Sequence, residues 1–288
     1  MFPLIDAPGL AAELATKSPV KQGDLRLIDV RWYLGKKSGK SEFDAGHLPR
    51  AVFVDLDTAL ANAPASVPSG GPGRHPLPSQ NAFEQAMRGA GVNDDTRVVA
   101  YDDAGGSIAA RLWWLLRYFG HANAAVLDGG IDAWKKSGGE LSTLAPEIRP
   151  GNFRAKDPRR NAVVDRDGVS RALANGALVL DARANERYRG DTEPIDARAG
   201  HIPGAKNAPW SENISDGKFL TAGDLEKKYR ALGAAPDREL IVYCGSGVTA
   251  CHDLLALELA GISGAKLYEG SWSDWAAHED RPIATGDT

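Results

Sequence analysis

The chain repeats itself, and the repeat constrains the fold more than any other feature of the sequence. Leu27-Ile-Asp29-Val-Arg31 is echoed by Val179-Leu-Asp181-Ala-Arg183, and Gly46-His47-Leu-Pro49 by Gly200-His201-Ile-Pro203. Arg97-Val-Val-Ala-Tyr101 matches Glu239-Leu-Ile-Val-Tyr243, Ala125-Val-Leu-Asp128-Gly129 matches Lys266-Leu-Tyr-Glu269-Gly270, and Trp134 matches Trp275. The order is the same in both halves. The offset falls from 152–154 positions early to 141–142 late, so the first half carries the longer middle loop. A 288-residue chain built this way reads as two homologous domains of ordinary size.

Each half alternates apolar strands with helical patterns. In the first half, Leu25–Val30, Val52–Leu56, Arg97–Tyr101 and Ala124–Leu127 read as strands, and Phe83–Gly89, Ala109–Tyr118 and Ile131–Lys136 as helices. In the second, helices are expected near 222–232 and 249–260. Alternation of this kind implies an α/β fold, with a parallel sheet flanked by helices in each half. The expected boundaries are 1–142 and 164–288, joined by a linker at 143–163 that holds Pro146, Pro150 and Pro158. A second irregular stretch, 61–80, carries five prolines and the run Gly73-Arg74-His75-Pro76. A loop that long inside a compact domain is usually functional or disordered.

Composition removes several classes of function. At 43% apolar and 25% charged residues the chain is globular, and a net charge of −4 gives no general pull toward nucleic acid or an anionic membrane. No apolar run reaches the length of a membrane span. The start of the sequence lacks a basic region followed by an apolar one, so no signal peptide is expected. The two cysteines, Cys244 and Cys251, flank one loop–helix junction and do not form a disulfide framework. A cytoplasmic location follows as the expectation.

The chemistry concentrates at Leu240-Ile-Val-Tyr-Cys244-Gly245-Ser246-Gly247-Val248-Thr249-Ala250. A cysteine ends a strand, and a glycine loop and a helix start follow. Ligands of parallel sheets gather outside the carboxyl ends of the strands. Loop amides and a helix N-terminus there favour an anionic sulfur. The bland alternative is a small core thiol, and the glycine loop directly after Cys244 argues against it. For Cys251, inside the helix, packing is the better reading. The matching position in the first half is Asp102, which cannot accept sulfur, so one half works and the other supports it.

Three other chemistries are tested at the same loop. A phosphatase loop needs arginine at position 250, where alanine stands. Gly245-x-Gly247-x-x-Ala250 mimics a dinucleotide fingerprint, but only 41 residues follow Gly247 and the first half has no equivalent. No C-x-x-C or histidine pair with metal spacing occurs, so neither a metal nor a cofactor is expected.

Taken together, the Cys244 loop, the paired Gly-His-x-Pro motifs and the endings Asp128-Gly-Gly-Ile-Asp-Ala-Trp134 and Glu269-Gly-Ser-Trp-Ser-Asp-Trp275 resemble tandem-domain rhodanese-type sulfurtransferases. The resemblance covers nearly the whole chain and implies two rhodanese-like domains, the second catalytic. Cys-Gly-Ser-Gly-Val-Thr at 244–249 is similar to the loop of the 3-mercaptopyruvate enzymes, whereas thiosulfate enzymes typically carry basic residues at 245 and 246. It implies that Cys244 takes sulfur from 3-mercaptopyruvate as a persulfide and passes it to cyanide or to a thiol acceptor such as thioredoxin. The resemblance further implies that Arg187 and Arg198 bind the substrate carboxylate. Gly245, Gly247, Val248 and Thr249 form the loop around the small anionic sulfur donor, and Ser246, His75 and Asp57 make a relay drawn from both halves. His47 and His201, recurring in both halves, are expected to serve the fold. The alternatives are a thiosulfate:cyanide sulfurtransferase using the same cysteine, and a persulfide carrier or binding module that delivers sulfur to a partner protein.

Overall fold

The computed structural model describes residues 2–16, 24–35, 37–62 and 73–287. The chain divides into two compact units: Met1–Ala61, Pro78–Arg159 and Asp216–Phe219 form the first, and Asn62–Leu77, Arg160–Ser215 and Leu220–Thr288 the second. No helix among the described residues is long and apolar enough to cross a membrane.

The first unit is built on strands β1 (Leu4–Ile5), β2 (Leu25–Asp29), β3 (Val52–Phe53), β4 (Arg97–Tyr101) and β5 (Ala124–Leu127), with helices α1 (Ala7–Thr16), α2 (Gly39–Ala45), α3 (Gln80–Gly89), α4 (Ala109–Tyr118) and α5 (Gly130–Lys136). The second unit has β6 (Val163–Val164), β7 (Leu178–Asp181) and β8 (Lys206–Asn207), with α6 (Arg166–Ala174) and α7 (Asn185–Arg189). Two short strands follow, β9 (Ile214–Ser215) in the second unit and β10 (Lys218–Phe219) in the first. After them come α8 (Ala222–Leu232), β11 (Leu240–Tyr243), α9 (Ala250–Leu259), β12 (Lys266–Tyr268) and α10 (Ser271–Ala277). The sheets run β1-β5-β4-β2-β3 and β6-β12-β11-β7-β8. Every neighbour in both is parallel. The two units therefore share one topology, as two copies of one ancestral pattern require.

The central strands β4 and β11 are apolar almost throughout because a parallel sheet is covered on both faces. In the second unit Val179, Ile241 and Tyr243 pack with Tyr268, Trp272 and Trp275. Burying each such side chain contributes on the order of 1.5–3 kcal/mol. Helix α9 is buried along its first two turns and shows no polar face, which makes it a core helix.

Three features differ from the sequence reading. The second expected strand stops at Phe53, because the Asp55 side chain accepts the Thr58 N–H and starts a π-helical turn over Leu56–Leu60. Helix α2 is mostly polar and buries Phe43 alone, so apolar periodicity does not reveal it; Ser38 caps it. The stretch 143–163, expected as a linker, is irregular up to Arg159 but is fastened to the first unit. Gly151, Phe153 and Lys156 donate backbone bonds to Arg88, Val92 and Phe119, and Phe153 is buried against Phe83 and His121.

Candidate active site

The repeated motifs hold the strand ends in place. Asp181 accepts from the Arg183 backbone and guanidinium, and the same guanidinium donates to the Gly200 carbonyl at 2.7 Å. His201 Nδ1 donates to the Tyr188 carbonyl and its ring stacks on Tyr188 at 3.7 Å, while Tyr243 Oη accepts the Ile202 N–H. The first unit repeats each bond with Asp29, Arg31, Gly46, His47, Phe43, Tyr101 and Leu48. These aspartates, arginines and histidines are scaffold, making the same bonds in both copies of the fold.

β11 ends at Tyr243 and delivers Cys244 into a loop closed by α9. Gly247 N–H donates to Cys244 Sγ at 3.1 Å, so a loop amide already points at the sulfur. Gly247 has φ +79, and a Cβ there would meet the Glu269 carbonyl at 2.5 Å, which requires glycine. The loop is braced from the side by the start of α10. Trp272 and Ser273 N–H groups donate to the carbonyls of Cys244 and Gly245, and Ser271 Oγ accepts the Cys244 N–H at 3.1 Å. Val248 is buried and Thr249 half-buried at the head of α9; Cys251 is fully buried, with Sγ donating to the Gly247 carbonyl.

In the first unit the same loop holds a carboxylate instead of sulfur. Asp102 accepts four backbone N–H bonds, from Ala104 and Gly106 on one oxygen and Ile108 and Ala109 on the other, all at 2.8–2.9 Å. The loop is thus an amide cradle for an acceptor in that copy, filled by its own side chain, whose carboxyl burial raises despite the four bonds.

The second unit also contains Gly73–Leu77, from the long irregular stretch of the sequence, of which residues 63–72 lie outside the described residues. A Cβ at Gly73 would strike the Gly270 carbonyl at 2.5 Å, Arg74 N–H donates to Ser273 Oγ, and Leu77 N–H reaches Glu269 Oε2. That docking brings His75 Nδ1 to 2.7 Å from Ser246 Oγ, with both residues buried. Asp57 belongs to the first unit, where it accepts from Trp32 Nε1 at 2.9 Å.

Two arginines reach the loop at Gly245. A Cβ on that glycine would meet Arg74 Nη2 at 3.0 Å and Arg187 Nη1 at 3.4 Å. Arg187 also donates to Glu193 at 2.7 Å and to Asp196 at 3.2 Å, and Arg74 pairs with Asp196. Burial alone would raise Glu193, but the Arg187 hydrogen bond and charge and two backbone N–H groups outweigh it and hold the carboxyl below its usual range. Asp196 goes the other way: burial raises it, aided by the Glu193 charge, despite Arg74 and Arg187.

Arg198 corrects the sequence reading. Its guanidinium donates to the carbonyls of Trp275, Ala276, His278 and Arg281, so it caps the C-terminal end of α10 and its fork is spent on backbone. Arg74, adjacent to His75 in the sequence and passed over there, stands at the loop instead.

The rhodanese-like domain model matches residues 11–137 and 165–278. A probable 3-mercaptopyruvate sulfurtransferase of Pseudomonas aeruginosa is 43% identical over 289 residues, 99% of this chain and 98% of that one. A putative thiosulfate sulfurtransferase, SseB, of Mycobacterium tuberculosis is 40% identical over 280 residues, 96% of each. Among solved structures, SseA of Escherichia coli, a 3-mercaptopyruvate sulfotransferase, superposes with a TM-score of 0.80 at 34% identity, covering 95% of this chain and 100% of that one. With the domain matched twice and the topology repeated, the chain belongs to the rhodanese-like family, as a tandem of two such domains.

Proposed function

We propose that the protein is a sulfurtransferase that takes sulfur from 3-mercaptopyruvate onto Cys244, releases pyruvate, and passes the sulfur to a thiol or cyanide. The observation that carries this reading is the pair of guanidinium groups beside Gly245, one residue from Cys244. The loop is neutral in sequence, yet Arg74 and Arg187 each bring a guanidinium nitrogen to its edge, two charged donors that suit a carboxylate. The named relatives support the same chemistry.

In the first step the Cys244 thiolate attacks the donor's sulfur. A sulfur–sulfur bond forms and the carbon–sulfur bond breaks. Its electron pair stays on carbon as pyruvate enolate, which takes up a proton. Ser246, backed by His75, is the proposed proton donor. Gly247 N–H and the start of α9 stabilise negative charge on sulfur. In the second step an acceptor thiolate, on a small thiol or a protein such as thioredoxin, attacks the outer sulfur and Cys244 leaves as thiolate. Asp57 is the third relay member expected from the sequence; comparing Asp57→Asn with His75→Asn measures whether it acts with the other two.

The test is kcat/KM for 3-mercaptopyruvate and thiosulfate on one preparation. Preference for mercaptopyruvate is expected. Preference for thiosulfate overturns the donor assignment in favour of the second reading, for which the SseB relative speaks. Loading without turnover on small acceptors makes the protein a persulfide carrier.

A further inference from the structure

The arginine pair beside Gly245 already holds an anion of the protein's own. One oxygen of Asp196 takes Arg74 Nη1 and the other takes Arg187 Nη2. The Asp196 side chain is 6% exposed, and that of Glu193, which also pairs Arg187, is 3% exposed. Glu193 is shared with Arg183, whose guanidinium is held by Asp181. Three guanidinium groups are therefore met by three carboxylates. Arg74 Nη2 and Arg187 Nη1, the nitrogens nearest Gly245, donate to no group among the described residues.

We propose that Asp196 selects the sulfur donor: by occupying the outer donors of Arg74 and Arg187 and cancelling one of their charges, it aims the inner donors at Gly245 and suits the site to a singly charged carboxylate over a dianion. The proposal rests on the reading of the arginine pair as the substrate's anion site. Its physics is the product of charges. With Asp196 ionised the cluster is neutral, and the site binds an anion through directed N–H groups. With that charge removed the cluster is positive, and a dianion gains twice the attraction that a monoanion does. At the separations of a contact site, one unit of charge is worth roughly ten-fold in binding at an intermediate dielectric. Burial raises the Asp196 carboxyl, so its ionised form is kept by the two arginines that face it and opposed by Glu193.

The experiment is calorimetric binding of pyruvate and of sulfate, two unreactive anions of one and two charges, to the full-length protein and to Asp196→Asn at about pH 8. Asparagine keeps one acceptor and the shape while removing the charge. The preference for sulfate over pyruvate is expected to rise about ten-fold in the variant. A preference unchanged, or shifted toward pyruvate, overturns the role of Asp196. Asp196→Ser, which also keeps an acceptor without charge, must shift the preference in the same direction, and it carries the test should the first variant not fold. Failure of pyruvate to bind the unaltered protein removes the anion site itself, and this proposal with it, a result distinct from an unchanged preference.

Discussion

Arg74 and Arg187 come from positions more than a hundred residues apart and end within reach of one glycine. Neither position carries information about that convergence alone. Arg187 is marked by its place four positions past Arg183, the end of the duplicated scaffold motif. Arg74 sits beside His75, and the prolines around that histidine mark the histidine but not the arginine. Arg198 was legible only as an arginine near Gly200; its use as a cap depends on the end of α10, 77–83 residues away. We predict that Arg187→Ala lowers kcat/KM for mercaptopyruvate by about 10²-fold, as removal of a charged partner from a carboxylate does. Thiosulfate turnover should fall less. Equal loss with the two donors would remove the carboxylate role.

At the level of elements, the turn before α10 distinguishes the second unit from the first. Gly130 in the first unit has φ +56, and a Cβ there would meet the Asp102 carbonyl at 2.1 Å. In the second unit Ser271 stands in the matching place with φ +54, a conformation unfavourable for any residue with a Cβ. Its hydroxyl accepts the Cys244 N–H and donates to the Tyr268 carbonyl. The repeat aligns Ser271 with Gly130, but backbone strain has no signature in a single sequence. Ser271→Ala keeps the strain and orphans the buried Cys244 N–H, so thermal unfolding should report a loss of about 1–3 kcal/mol; an unchanged midpoint would show the hydroxyl to be idle. Helix α9 offers a second test. Asp253 is fully buried and held by Asn213 Nδ2 at 2.6 Å, while Asn213 Oδ1 takes Lys228 and Tyr229. Burial pushes the Asp253 carboxyl up to about 7. The folded state then keeps a proton that the unfolded chain releases, so this residue's contribution to stability falls as pH rises from the ordinary carboxylate range to about 7. The melting temperature of Asp253→Asn relative to wild type should therefore rise between about pH 4 and about pH 8. A constant difference would contradict a titrating Asp253.

For the whole molecule, duplication made the fold readable. Matching motifs in the same order required two units of one topology, and alternating strands and helices required parallel sheets. The composition of the second unit was not readable in the same way. Gly73–Leu77 lies in the sequence between elements of the first unit, and periodicity does not say which sheet an irregular segment docks against. Its placement follows from a close glycine–backbone approach at Gly270 and bonds to Ser273 and Glu269. Cys244 stands out as the candidate nucleophile because strand, thiol and glycine loop are contiguous in sequence, and the first copy differs legibly because Asp102 stands in the same place. What the first copy adds is the chemistry of the loop: its backbone turns four N–H groups onto the Asp102 carboxyl, although burial raises that group above its ordinary range. The most direct test of sulfur carriage by Cys244 is the intact mass of the protein after exposure to 3-mercaptopyruvate without acceptor, followed by peptide mapping. We predict a gain of one sulfur atom located on Cys244 and absent from Cys244→Ser; a gain that persists in that variant, or maps to Cys251, would contradict it.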